Sequence, residues 1–317
     1  MGNCCNQDHK QDDIYKTSIN EREKQDIKSL NDPTSNHPAS KMHAPAETVA
    51  QKCSEMNSVA TKVQSVENSL KTFVYDPNIS ARFQDLSIMG PYKYPNGATY
   101  FGQYKEGKRN GRGRQVWSDG SVYEGYWLND QSNIRGRIIH SEGDYYEGEW
   151  SMDKAEGFGK YCHADGSLYE GEWLGDLQNG KGKEQWPDGS VYSGQYKDSL
   201  KHGKGNFLWA DNAKYEGEFF ENDIQGFGIY TWADGRKYTG DWKKNKMDGK
   251  GLFTWPDGRS YEGEYIDDKK HGYGIFRWKD NKVFKGQWVN GKQEGEGEIT
   301  ENGETRKGIW KEGDMLK

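Results

Sequence analysis

Leucine, isoleucine and valine are scarce in this chain: only 32% of its 317 residues are apolar, too few for the core of a helix bundle or a doubly wound sheet. Cysteine is scarcer still. Cys4, Cys5, Cys53 and Cys162 are too scattered to staple a secreted domain, and no Cys-x-x-Cys pair or histidine cluster has zinc-ligand spacing. The chain therefore reads as reduced and cytosolic-side, with no metal and no cofactor. No run of about eighteen apolar residues provides a spanning helix, and no apolar stretch follows Met1 to act as a secretion signal. An excess of positive charge is also missing. A net charge of -6 offers no footprint for nucleic acid.

What the chain does have is glycine and rings: 41 glycines, and aromatic residues at 14% of the sequence. From Tyr100 the same phrase returns every 23 residues, opened by Tyr100, Tyr123, Tyr146, Tyr169, Tyr192, Tyr215, Tyr238, Tyr261 and Phe284. The opening alternates aromatic, polar, glycine, polar, aromatic, as in Tyr146-Glu147-Gly148-Glu149-Trp150. A period of two is a strand with one ring-bearing face and one solvated face. A Gly-x-Gly pair follows, as at Gly249 and Gly251, leading to an aromatic such as Trp255. The unit closes on Asp-Gly or its equivalent, as in Trp186-Pro187-Asp188-Gly189, a tight-turn signal. Each unit is thus a β-hairpin, and glycines on the ring-bearing face leave depressions into which neighbouring rings lie. Gly90 to Gly97 matches a second half-unit, and Gly308, Trp310 and Gly313 match a first half. Two units are irregular: the second carries Ile134 at a glycine position, and the ninth is one residue short with Glu301 where a tryptophan is expected.

The Tyr-x-Gly-x-Trp opening, the Gly-x-Gly pair and the Asp-Gly close resemble the MORN (membrane occupation and recognition nexus) repeat over about residues 90–317. The expected fold is all-β: an elongated single-layer antiparallel sheet of tandem hairpins, with nine full repeats and a half-repeat at each end. The resemblance implies membrane-associated or cytoskeletal assembly, a partner helix bound in a groove, and contact with phosphoinositides.

The first six residues, Met1-Gly2-Asn3-Cys4-Cys5-Asn6, resemble an N-myristoylation site with adjacent palmitoylation sites, although Asn6 stands where Ser or Thr is usual. A single myristoyl chain holds only reversibly, so Gly2 is expected to act with Cys4 and Cys5. Residues 7–46 are polar and aperiodic, the composition of a disordered tail. Over 47–75, Met56, Val59, Val63, Val66, Leu70 and Phe73 follow steps of three and four, one stripe of an amphipathic helix. Two readings of it stay open: a helix that docks on a sheet or partner, and a nascent helix in a linker.

A one-layer sheet of about twenty strands would extend on the order of 90 Å and leave its ring-bearing face to be covered. The groove for a partner is expected along the opening residues Tyr100, Tyr123, Tyr146, Tyr169, Tyr192, Tyr215, Tyr238 and Tyr261. Trp117, Trp127, Trp150, Trp173, Trp186, Trp209, Trp232, Trp242, Trp255, Trp278 and Trp288 complete it. A partner's helix, a second copy of the array, residues 47–73, or closure of the rings on their own glycines are the alternatives for covering it. A basic loop edge of Lys108, Arg109, Lys201, Lys243, Lys244, Lys246, Lys269 and Lys270 is the candidate for acidic headgroups. Gly175 to Lys181 nearly spells a phosphate-binding loop, but Gly182 stands where Ser or Thr would meet magnesium. Glutamate pairs such as Glu262 and Glu264 fall on the solvated face, so no enzymatic role is expected. The function expected is a membrane-tethered scaffold at the cytosolic face of a plasma or ciliary membrane or in the membrane-associated cytoskeleton. Its alternative is a phosphoinositide-recognition module.

Overall fold

The computed structural model describes residues 61–316; the acylation motif and the polar tail lie outside the described residues. Twenty-one strands, from β1 (Ile88–Lys93) to β21 (Asp314–Met315), form one antiparallel sheet. Each strand pairs with its neighbours in sequence, from β1 against β2 (Thr99–Lys105) to β20 (Glu304–Lys311) against β21. Local pairing of this kind is what a hairpin repeat dictates, since each strand meets its partner across a short turn.

One unit serves for all. β12 (Lys214–Phe220) and β13 (Asp223–Thr231) are joined by Glu221 and Asn222, whose φ values of 50° and 72° make the tight turn that matches strand twist. The register shifts between Gly217 and Glu218, opposite Gly226, whose φ is 66°. That is a β-bulge, and it restores the facing of the side chains on either side of it. At the other edge the chain turns through Trp232 to Arg236, with the Trp232 N–H donating to the Arg236 carbonyl at 2.9 Å. The last unit differs. β19 (Lys292–Glu301) returns into β20 through Asn302 and Gly303 alone, which accounts for the missing residue in the ninth repeat.

The tight-turn edge is tied from hairpin to hairpin. The Asn222 N–H donates to the Lys201 carbonyl at 3.0 Å, and Asn222 Oδ1 accepts from the Lys201 N–H at 2.9 Å. Asp130, Asp153, Asp176, Ser199, Asn245 and Asp268 make the same two-point contact with the preceding hairpin. Asp and Asn suit this place twice over, because they accept hydrogen bonds and tolerate positive φ.

Ahead of the sheet, helix α1 (61–69) and the short helix α2 (Pro77–Ala81) lead into β1. Asp76 caps α2 by accepting from the Asn78 N–H at 2.7 Å, and Pro77 starts it where a missing N–H costs nothing. The stripe seen in the sequence is put to use. Val63 is buried against Val122 and Ile139, with Val66, Leu70, Val116 and Tyr145 around them. Strand alternation places Val116, Val122, Ile139 and Tyr145 on the face opposite the rings. α1 therefore docks on the sheet, but on the ring-free face and not over the rings.

Candidate partner-binding face

The ring-bearing face closes on itself. The Tyr215 ring lies across Gly217 and Gly228 of the adjacent strand, so close that a Cβ on Gly228 would run into it. Its hydroxyl donates to the Glu218 carbonyl, freed at the bulge, at 3.1 Å. The same hydroxyl-to-bulge bond recurs from Tyr100 to Tyr261, and Phe284 keeps the ring without it. Burial pushes these phenols well above their usual pKa, and nearby carboxylates such as Glu184 for Tyr192 add to the effect.

Between repeats the rings interlock edge to face. Tyr215 meets Phe219 at 5.2 Å and Trp242 at 5.8 Å, and Tyr238 meets Trp242 at 5.1 Å and Tyr265 at 5.2 Å. The ladder continues in both directions, from Tyr100 with Trp127 to Phe284 with Trp310. Each such pair contributes about 0.5–1.5 kcal/mol beyond burial. Tryptophans in the ladder also donate to glycine carbonyls, as Trp150 Nε1 does to Gly136 at 3.1 Å.

This packing corrects the expected groove. Tyr100, Tyr123, Tyr146, Tyr169, Tyr192, Tyr215, Tyr238 and Tyr261 are all 2% exposed or less, and Trp127, Trp150, Trp242 and Trp288 are buried with them. None of these can line a partner site, because each is already covered by a neighbouring repeat. Trp117, Trp173, Trp186, Trp209, Trp232, Trp255 and Trp278 are half-buried. From Trp186 to Trp278 these join Phe207, Tyr230, Phe253 and Phe276 in a second row of rings, stacked at Phe207 and tilted or edge to face beyond it.

The basic edge is also redistributed. Arg109 lies over the Trp127 ring at 4.1 Å, and Lys201 is buried among Trp186, Tyr192 and Phe207 with Glu184 at 3.9 Å. Lys270 sits over Phe276 at 5.0 Å and Trp288 at 5.3 Å. These three belong to strands on the ring-bearing face, since the turns before them are only two residues long. Lys108, Lys243, Lys244 and Lys269 remain exposed at the edge, and Lys246 is paired with Asp267 at 2.8 Å.

Where the ring row is interrupted, Asp144 accepts from Tyr161 at 2.9 Å and from the Ala164 N–H at 2.8 Å, with His163 Nδ1 at 3.4 Å. Although burial opposes it, these bonds hold Asp144 at about 2. The imidazole of His163 is raised in turn, its burial outweighed by Asp144.

The open surface is the ring-free face. One register row there runs Arg114, Glu124, Arg137, Glu147, Lys160, Glu170 and Lys183, a ladder of alternating charge. Beyond Ser193 the same row loses that alternation and becomes Asn206, Glu216, Ile229, Thr239, Leu252, Glu262 and Ile275. Phe227 at 55% exposure, Tyr273 at 52%, Leu208 at 42% and Leu252 at 40% make this half an apolar strip. A depression of about 560 Å³ opens within it, lined by Val191, Leu208, Ile229 and Thr231 together with Lys214, Lys237 and Glu216. Alternation alone shows which residues share a face; the self-closing of one face is what leaves the other as the open one.

The MORN repeat model matches residues 100–122, 146–168, 169–191, 192–214, 215–235, 238–258, 261–283 and 284–303. The chain belongs to the MORN repeat family. The matches pass over 123–145, the unit with Ile134, yet β4 (Val122–Leu128) and β5 (Gln131–Ile139) pair there in the common register. No curated protein matches the chain. Among solved structures, the TCP10 domain of Danio rerio CPAP in complex with a STIL peptide is similar at 10% identity and a TM-score of 0.36, covering 69% of this chain and 98% of that one. The TCP domain of Drosophila melanogaster SAS-4 with a proline-rich motif of Ana2 is similar at 14% identity and 0.31, covering 60% and 96%.

Proposed function

We propose that this MORN repeat protein is a non-enzymatic scaffold, tethered to the cytosolic face of a membrane through Gly2, Cys4 and Cys5, that binds a protein partner on the ring-free face. The observation that carries the reading is the contrast along that face. Over the first repeats it is covered by the chain's own α1; from Val191 to Ile275 an apolar strip with a depression lies uncovered. Exposed apolar side chains gathered about a depression mark interaction sites, and Lys214 and Lys237 at its border suit carboxylates on a partner.

A photoreactive amino acid at position 252 should cross-link a protein partner in cells, and Phe227→Asp should abolish the product. A product that survives Phe227→Asp overturns the assignment of this face. For the tether, a myristate analogue should label the wild type and not Gly2→Ala. The alternative, recognition of phosphoinositide at the loop edge, now draws on Lys108, Lys243, Lys244 and Lys269, with Lys246 already paired. Retention of Gly2→Ala on phosphoinositide vesicles at physiological salt, lost on neutral vesicles, would favour it.

A further inference from the structure

The surface beneath α1 is unlike the rest of the ring-free face. The two outward positions flanking the second glycine of each repeat are Arg112 and Arg114 in β3 (Lys108–Val116), and Arg135 and Arg137 in β5. In the next six repeats no arginine stands there, the places being held by lysine, asparagine or apolar residues such as Phe158 and Lys160, or Phe227 and Ile229. Arginine is therefore concentrated where the chain covers itself.

The covering segment matches this patch in two ways. Its apolar stripe of Val63, Val66 and Leu70 fills the row of Val116, Val122, Ile139 and Tyr145. Its polar side reaches the arginines: Glu67 pairs with Arg114 at 2.7 Å, the Lys71 carbonyl accepts from Arg137 at 2.9 Å, and Tyr75 lies under Arg112 at 5.9 Å. Phe73 is buried beside Arg137. With the segment lifted away, the four arginines would keep only the sheet's own Glu124, Glu147 and Glu149 beside them, and burial already raises the Glu124 carboxyl. The segment is weakly built for permanent residence. Within 61–69, Thr61, Ser65, Asn68 and Ser69 are poor helix formers, and only Val63 is buried.

We propose that residues 61–75 are a displaceable cover over a second binding site, and that the site takes an acidic amphipathic helix of a partner protein. A helix fits because the occupant observed is one, with apolar side chains at steps of three and four filling the row. Acidity is what would let a partner exceed the cover, since Glu67 alone answers Arg112, Arg114, Arg135 and Arg137 among the charges of 61–75 in contact with them. The site is separate from the open strip, so neither depends on the other.

The cover competes intramolecularly, at an effective concentration that short tethers bring to the order of millimolar. A free peptide in the micromolar range should therefore be excluded until the cover is loosened. The probe is a fluorescein-labelled peptide of residues 58–76 carrying Lys71→Glu, titrated into the full chain and followed by anisotropy. Val63→Asp should open the site and tighten peptide binding by at least about ten-fold. Glu67→Arg, which leaves the apolar contacts in place, should act in the same direction. Arg114→Glu added to Val63→Asp should remove the gain. Near-ultraviolet circular dichroism of the sheet's tryptophans verifies that each variant is folded. Equal binding by wild type and both opened variants overturns the proposal. So does a Val63→Asp chain that gains affinity for phosphoinositide vesicles but not for the peptide.

Discussion

Within one repeat, the two glycines of the Gly-x-Gly pair are fixed by different physics. Gly226 is needed for its positive φ at the bulge, whereas Gly228 has an ordinary backbone and is needed because the Tyr215 ring occupies the place of a side chain. Ile134 separates the two requirements. It stands at the bulge position with φ at 62°, a strained conformation for a β-branched side chain, while Gly136 keeps the ring contact with Tyr123. Strain of this kind costs on the order of 1–3 kcal/mol. Ile134→Gly should therefore stabilise the protein by about 1 kcal/mol, seen as a rise of roughly 2–4 °C in the thermal midpoint. A lowered midpoint would mean that the isoleucine side chain contributes more through packing than its backbone loses.

Between hairpins, the second residue of each tight turn carries the connection. Asn245 Oδ1 accepts from the Ile224 N–H at 2.7 Å, and its own φ is 65°. Replacing it by glycine removes the acceptor but suits the backbone, as Gly291 does in its own repeat; replacing it by alanine removes the acceptor and strains the turn. Urea midpoints should fall in the order Asn245, Asn245→Gly, Asn245→Ala, with about 1 kcal/mol for the lost hydrogen bond. An alanine variant as stable as the wild type would show that the backbone bond to Ile224 suffices alone.

Much of this level was legible in the sequence. The 23-residue period, the alternation of Tyr-x-Gly-x-Trp and the half-units at the ends give the strands and their order. What stayed hidden depends on contacts between repeats. The Tyr238 ring is covered by Trp242 and Tyr265, and no spacing within one unit reveals which rings will be covered by the next. Lys201 reads as a loop residue in the sequence because nothing there marks Asp198 and Ser199 as the whole turn; with φ at 50° and 63° they return the chain at once, and Lys201 pairs with Tyr196. The stripe of Val63, Val66 and Leu70 is equally that of a docking helix and of a nascent helix in a linker, and it names no face, since both faces of β3 to β5 offer apolar residues.

For the molecule as a whole, every strand pairs only with its sequence neighbours and its rings reach no further than the next repeat, so stability is distributed along one dimension. Opening should then begin at the ends, where β1 is exposed throughout and β20 pairs with β21 only at Trp310 and Lys311. Native-state hydrogen exchange should rank amides of β1 and β20 fastest and those around Tyr192 to Tyr265 slowest. One common rate across the sheet would show instead that the array unfolds as a unit.

The ties at the tight turns also have a direction. At the second turn residue it is the later hairpin that supplies the side-chain oxygen and the earlier one that supplies the N–H, while the later residue's own N–H returns to the earlier carbonyl. During synthesis a hairpin leaving the ribosome must wait for its successor before its own edge is fastened, so the array is completed like a zip drawn from the amino end. Gly291 and Gly313 change the series only at the finish, where the backbone N–H makes the tie to the hairpin before and the second turn residue has no side-chain oxygen to add.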